Sequence, residues 1–136
     1  MISNDYLAGF FDADGSVGIY NRTKTSYQVN ISIANSGHHG RIICNEIKNR
    51  FGGSVVEAKS KKSTHRNVFW WRCSSTPKVK EFLEEITPHL IIKKDQALAT
   101  LEFVDRYSKM DLVKTPEDLE YAESMVKLVK EMKVKC

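Results

Sequence analysis

Apolar residues repeat first with helical spacing and then with the spacing of strands. In the stretch 3–14 they fall at i, i+3 and i+4, which predicts a helix with one face towards a core. From Gly15 onward every second residue is apolar, which predicts strands over 16–20 and, more clearly, over 28–34. The opposite faces of these strands are rich in amides and hydroxyls, so they can hydrogen bond to a partner laid across them.

The rest of the chain predicts a second helix and hairpin, and then only helices. The elements are a helix over about 40–51 that ends at Gly52-Gly53, a hairpin of 54–59 with 67–75, and helices over about 77–86, 94–107 and 116–133. This order, αββαββ followed by helices, predicts an α+β fold with one curved antiparallel sheet backed by helices.

Two details of the helical part are expected. In the helix over 94–107 the inward residues are Ala97, Leu98, Leu101 and Val104. No linker divides the chain, so we expect one domain over 1–136, with 113–136 as an additional C-terminal helix.

The composition is that of an ordinary globular protein, with 41% hydrophobic and 28% charged residues. No apolar run approaches the roughly 18 residues of a membrane span, so no membrane partner is expected. The three cysteines form no C-x-x-C pair, and their odd number argues against a disulfide framework. We therefore expect an intracellular location in a reducing compartment, the cytoplasm or an organelle matrix.

Positive charge is concentrated in the middle of the chain. Residues 41–72 contain eight Lys and Arg against two acids, whereas 73–136 contain eleven against twelve. Such a concentration is the electrostatic footprint of a polyanionic partner, although a solvated basic face has the same composition.

Two carboxylates stand where a helix disfavours them. Asp12 and Asp14 fall at the C-terminal end of the first helix, which already carries partial negative charge. Gly9 and Ala13 lie four residues apart on a second stripe of that helix, a spacing that lets two helix backbones approach closely. Gly15 is expected to end the helix with a positive φ. Acids at the negative end of a helix, with no residue nearby in sequence to offset them, are typical of a functional site.

Two stretches carry a resemblance to a known family. Residues 7–15, LAGFFDADG, resemble the signature of the LAGLIDADG homing endonucleases and match seven of its nine letters. The stretch 87–97, TPHLIIKKDQA, resembles the family's second landmark, a proline and a lysine-bearing loop before a Gln-Ala helix start. The αββαββ order is also the family's. Because the chain has one signature, the resemblance implies the single-motif type, which acts as a homodimer.

The resemblance implies roles for the signature residues. Asp14 would bind a divalent metal with the Ala13 carbonyl nearby; Mg²⁺ is expected, and Mn²⁺ or Ca²⁺ could occupy the same site. Gly9 and Ala13 would pack against the same helix of a second copy, and Asp12 is assigned to this dimer interface as a supporting residue. Two copies of Asp14 would then meet over DNA, where phosphodiester hydrolysis needs charge neutralised at the attacking and leaving oxygens.

Three further residues are candidates for the same chemistry. Lys93 matches the family's active-site lysine, with a solvated loop lysine as the alternative. Asn35 lies where the family often has a water-positioning glutamine, and Ser36 competes for that role. Arg41 could reach the region of the scissile phosphate or be an ordinary residue at a helix start.

In this family the sheet lies in the major groove, so outward strand residues are the candidate readers of double-stranded DNA. They are Tyr20, Arg22, Gln28, Asn30, Ser32, Trp70, Arg72 and Ser74. If the inward and outward positions of the last strand were assigned one residue out of step, Trp71 and not Trp70 would face outward. Basic residues in the connections are expected to contact phosphates: Lys24, Lys59, Lys61, Lys62 and Arg66.

The function predicted from the sequence is that of a homodimeric homing endonuclease encoded in an intron or similar mobile element. It would hydrolyse both strands of a long, near-palindromic DNA site with a divalent metal. The alternative is an RNA-binding intron maturase, with intron RNA as partner, or a non-catalytic DNA-binding regulator on the same scaffold.

Overall fold

The helices and strands follow the predicted order. The computed structural model describes residues 2–59, 67–110 and 114–135. Two αββ units come first: α1 (Asn4–Asp14), β1 (Gly15–Asn21), β2 (Tyr27–Ser36), α2 (Gly37–Phe51), β3 (Ser54–Ala58) and β4 (Val68–Cys73). They are followed by α3 (Thr76–Ile86), a 3-10 turn (Thr87–His89), α4 (Lys94–Ser108) and α5 (Pro116–Lys135). The α+β class, the antiparallel sheet and the additional C-terminal helix are confirmed.

The four strands form one antiparallel sheet in the order β1-β2-β4-β3. Val17 pairs with Ile31, which in turn pairs with Cys73. Ile33 pairs with Trp71 in the same way. Because residues opposite each other in a ladder share a face, these buried side chains form the side of the sheet that packs on the helices.

The alternation of side chains along β4 puts the two tryptophans on opposite faces of the sheet. Trp71 is fully buried and donates its Nε1–H to the Gly52 carbonyl at 2.8 Å. Trp70 lies on the opposite face and is half-buried. The predicted frame, with Trp70 outward, is therefore confirmed.

An aromatic cluster centred on Phe82 joins the sheet to three helices. The ring of this α3 residue lies 5.5 Å from the Phe11 ring of α1, 5.0 Å from the Phe51 ring of α2 and 4.9 Å from the Trp71 ring. All four side chains are buried, and Phe82 has no exposed surface. The cluster thereby holds α1 against the rest of the molecule.

Helix α2 begins at Gly37 rather than near residue 40 as predicted. Strand β2 continues through Ser36, and Gly37 then turns the chain with a φ of 77°. The Gly37 N–H donates to the Asn67 carbonyl at 3.0 Å, which fixes the turn against the start of β4. A single glycine in the left-handed region makes the turn for which the sequence suggested several residues.

The predicted inward face of α4 was wrong at Leu98, which is 49% exposed. Ala97 and Val104 are buried as predicted, and Leu101 packs partly buried against the core. The buried residues that were not predicted are Gln96, Ala99, Thr100 and Phe103. Two of the buried residues are polar, and the Thr100 hydroxyl donates to the Gln96 carbonyl at 2.8 Å. The spacing of apolar residues in α4 therefore did not reveal that Leu98 faces solvent while the polar Thr100 faces the core.

The C-terminal helix α5 packs against α4 and β1. Its buried residues are Ala122, Met125, Val126 and Val129. Within the described ranges, no helix combines the length and apolar composition that crossing a bilayer requires.

We expect Phe82→Ala to lower the free energy of unfolding by about 3–5 kcal/mol, because it leaves a cavity among three aromatic rings. Leu98→Ala is the matched control and should change it by less than about 0.5 kcal/mol, since that side chain is half in solvent. Urea denaturation followed by circular dichroism measures both. Equal losses in the two variants would contradict the assignment of the core.

Candidate active site

Asp14 stands exposed at the junction where α1 passes directly into β1. Gly15 ends the helix as predicted, but its φ is −88°, so the positive φ that glycine can adopt is not used here. A glycine is needed for space instead, because a Cβ here would lie 2.3 Å from the Phe11 ring and 2.6 Å from the Phe11 carbonyl oxygen. The close approach lets the last helical residue present its carboxylate at the edge of the sheet.

Asn35 near the end of β2 holds the Asp14 carboxylate. Its Nδ2 donates to Asp14 Oδ2 at 3.1 Å. Its Oδ1 accepts the Ser36 N–H at 3.0 Å, so the amide is oriented with its donor towards Asp14. Of the two competing candidates, Asn35 is therefore the one that the structure brings to Asp14.

Asp12 points into its own subunit. Its side chain is only 9% exposed, and its two carboxylate oxygens accept the backbone N–H groups of Ile91 at 2.9 Å and Lys93 at 3.0 Å. These bonds lie within one chain, and the supporting role of Asp12 at a dimer interface stays a prediction. The two backbone donors supply the compensation that the sequence did not reveal for a negative charge at this helix end.

Lys93 lies directly beside the signature helix. Its ammonium donates to the backbone carbonyl of Asp12, while its own N–H is held by the Asp12 side chain. The carbonyls of the last helical turn have no partner further along the helix, and Lys93 satisfies one of them. Lys93 is half-buried, so it is not a freely solvated loop lysine.

The signature helix leaves one stripe open. Gly9 and Ala13 are exposed, and a Cβ at Gly9 would meet nothing within 4 Å. Tyr6, one turn earlier, is 54% exposed. This open stripe faces away from the contacts that Leu7, Ala8 and Phe11 make with the core.

The register collects the predicted DNA readers on the outer face of the sheet. Tyr20 stands opposite Gln28, and Ser32 stands opposite Arg72. The Arg72 guanidinium lies 5.1 Å from the Trp70 ring centre, a cation–π distance. The same rows add two serines that the sequence analysis did not select, Ser16 opposite Ser32 and Ser54 opposite Arg72. Strand alternation alone could have found Ser16.

The remaining candidate DNA contacts lie on β2, in the loops that adjoin the strands and in α2. Asn30 is exposed on β2, Arg22 and Lys24 are exposed in the β1–β2 connection, and Lys59 and Ser74 are exposed just beyond the ends of β3 and β4. Arg41 lies in α2, where its guanidinium contacts His38. The predicted phosphate contacts Lys61, Lys62 and Arg66 lie outside the described residues.

The oxygen atoms near Asp14 fit a divalent cation only in part. The carboxylate and the Ala13 carbonyl are the hard oxygen ligands that Mg²⁺ takes in proteins, usually with several waters and substrate phosphates. Among the residues that the structure describes, no three His, Cys, Asp or Glu side chains form a group that could hold a metal. One copy therefore supplies part of a ligand set.

The family model for LAGLIDADG endonucleases matches residues 7–95. The chain belongs to this family. Membership implies a DNA-cleaving nuclease, and the resemblance seen in the sequence is confirmed. Among curated proteins, no sequence matches the chain.

Solved structures of homing endonucleases share the fold. One is I-CvuI in complex with its target in the presence of Ca, at 21% identity and a TM-score of 0.75 over 95% of this chain and 80% of that one. I-TnaI matches at 18% identity and 0.71, over 98% and 97% of the two chains. I-GzeII with its DNA target matches at 20% and 0.69, over 96% of this chain but 44% of that one.

We expect Asp12→Asn to destabilise the loop that carries Lys93. An amide has one acceptor oxygen and would place an NH₂ group against one of the two backbone donors, at a cost of about 1–3 kcal/mol. Hydrogen exchange at the amides of Ile91 and Lys93 should accelerate, as measured by NMR. Glu81→Gln, on the exposed face of α3, is the control and should leave both amides unchanged. Unchanged exchange in Asp12→Asn would contradict the role assigned to this carboxylate.

Proposed function

We propose that two copies of this chain form a divalent-metal-dependent homing endonuclease that cuts both strands of a long, near-palindromic DNA site. One observation carries the proposal: an exposed Asp14 carboxylate, oriented by Asn35, ends a helix whose small-residue stripe is open. A homodimer places two such carboxylates together on DNA, and its two-fold symmetry requires a site with matching half-sites.

The case for two copies rests on α1. The open stripe of Gly9 and Ala13 permits close contact with the same stripe of a second helix, because Gly9 has no neighbour within 4 Å.

The residues of each copy have distinct tasks in the proposed reaction. Asp14 and the Ala13 carbonyl would hold a divalent cation, which would supply charge neutralisation at the phosphate and activation of a bound water. Asn35 fixes the orientation of the Asp14 carboxylate through its amide. Lys93, anchored at the Asp12 carbonyl, contributes positive charge beside the phosphate that is cut.

The outer face of the sheet selects the DNA sequence. Its amides suit adenine and its Arg72 suits guanine, the pairings that the major groove favours. The exposed cations of the β1–β2 connection, Arg22 and Lys24, contact phosphates and set the register. I-CvuI and I-GzeII were both solved with DNA targets, which supports double-stranded DNA as the partner here.

We expect Asp14→Asn to bind DNA and to lose cleavage, because an amide keeps the shape of the side chain but not its charge. The cleavage rate should fall by about 100-fold or more. Mutating a residue that only supports a metal ligand already costs up to about 100-fold, and Asp14 is proposed as a ligand itself. A plasmid library of randomised near-palindromic sites, digested with Mg²⁺, identifies the target, and gel shifts in Ca²⁺ then measure binding. EDTA should abolish cutting by the unmodified chain.

The control for this variant is Glu81→Gln, which removes a carboxylate from the exposed face of α3 and should leave cleavage unchanged. Cleavage retained by Asp14→Asn would overturn the catalytic assignment. Binding to a structured intron RNA with no cutting of any DNA would favour the maturase alternative.

We expect Gly9→Leu to convert the dimer to a monomer, because the side chain fills the stripe where two helices approach. The isolated chain should become more stable by about 0.5–1 kcal/mol, since glycine is a poor helix former. Light scattering measures the mass and thermal denaturation the stability. Lys127→Leu, which adds the same side chain to an exposed position of α5, should leave the mass unchanged. A wild-type chain that is strictly monomeric would contradict the proposed dimer.

A further inference from the structure

A cleft of about 350 Å³ opens beside the junction of α1 and β1. Asp14 and Asn35 are not among its lining residues, which come from three parts of the chain. These are Gly15 and Ser16 of β1, Ile92, Lys93 and Gln96 around the start of α4, and Lys133 of α5. The last of these residues comes from the helix to which the sequence assigned no role.

Lys133 is held in this position by the packing of α5. Met125, Val126 and Val129 are buried on the face of α5 that packs against α4 and β1, so the helix runs along the sheet edge. The Lys133 side chain is half-buried, and its Nζ lies 3.3 Å from the Tyr20 hydroxyl and 5.5 Å from the centre of the Tyr20 ring. A candidate DNA reader and a lysine of α5 are therefore in direct contact.

Two lysines, Lys93 and Lys133, are among the residues that line the cleft, and no Asp or Glu is among them. Neither lysine forms a salt bridge with another described residue, whereas Lys80 pairs with Asp105 at 2.8 Å. Two ammonium groups around a space of this size suit a phosphodiester, which carries one negative charge and accepts hydrogen bonds at two free oxygens.

The position of the cleft decides which part of DNA it would meet. Strand β1 is at the edge of the sheet, and α5 lies beside it. A sheet that fills the major groove has its edges next to the phosphate backbones that border the groove, not next to base edges. A cation at this edge is therefore placed for phosphate and not for base recognition.

We propose that this cleft is a phosphate-binding site in which Lys133 contacts the DNA backbone beside the cut site. The inference rests on the proposed function and deepens it, because it makes α5 part of the DNA interface. Tyr20 keeps the Lys133 ammonium near the outer face of the sheet before DNA arrives. Removing the charge at Lys133 weakens binding to every sequence alike, since a phosphate contact carries no sequence information.

The experiment measures the salt dependence of binding to a short random-sequence duplex in EDTA, which prevents cutting and needs no knowledge of the target. Between about 50 and 200 mM salt, the slope of log K against log salt concentration counts the phosphates contacted, at about 0.9 per contact. Lys133→Gln should reduce the magnitude of the slope by about 0.9 for each subunit bound. Lys133→Arg should restore it.

Lys130→Gln is the matched control. It removes the same charge from an exposed position of the same helix, one turn from Lys133, and should leave the slope unchanged. Equal slopes for Lys133→Gln and the wild type, or equal reductions in Lys133→Gln and Lys130→Gln, would overturn the phosphate site and leave the proposed endonuclease standing. A wild-type chain without salt-dependent binding to duplex DNA would instead contradict the proposed function itself.

Discussion

The candidate active site depends on the two hydrogen bonds that the Asp12 carboxylate accepts from the backbone of Ile91 and Lys93. They join the end of α1 to the loop before α4, and the Lys93 ammonium closes the connection from the other side at the Asp12 carbonyl. Two backbone donors offset the unfavourable placement of a carboxylate at the negative end of a helix. These bonds attach the backbone at Lys93 to the end of α1, two residues before Asp14.

Helix α1 presents a different surface in each direction, and this constrains its sequence. Leu7 and Phe11 face the core, with Phe11 in the cluster around Phe82, while Gly9 and Ala13 remain open. Larger residues on the open stripe would fit the single copy, since nothing surrounds Gly9. Small residues are therefore unexplained by the fold of one chain, and a close helix–helix contact gives them a reason.

Sequence reasoning predicted the elements and the faces of the strands because both follow from local periodicity. The alternation through β4 correctly separated Trp70 from Trp71, and the signature identified the family. It failed where the outcome depends on contacts distant in sequence. Leu98 has helical spacing suited to a core, but the neighbours of α4 cover the side with Thr100 instead. The bonds of Asp12 span about eighty residues, and no local pattern signals them.

The distribution of charge along the sequence also differs from its distribution in the folded chain. The linear count placed the excess of Lys and Arg within 41–72 and found the C-terminal part nearly balanced. Folding nevertheless brings Lys133 of that balanced part to a cleft with Lys93, at the edge of the strand that follows Asp14. A balanced count along the sequence does not describe the charges that meet at one place in the fold. A phosphate in this cleft would meet the residues that line it, and these include two lysines and no carboxylate.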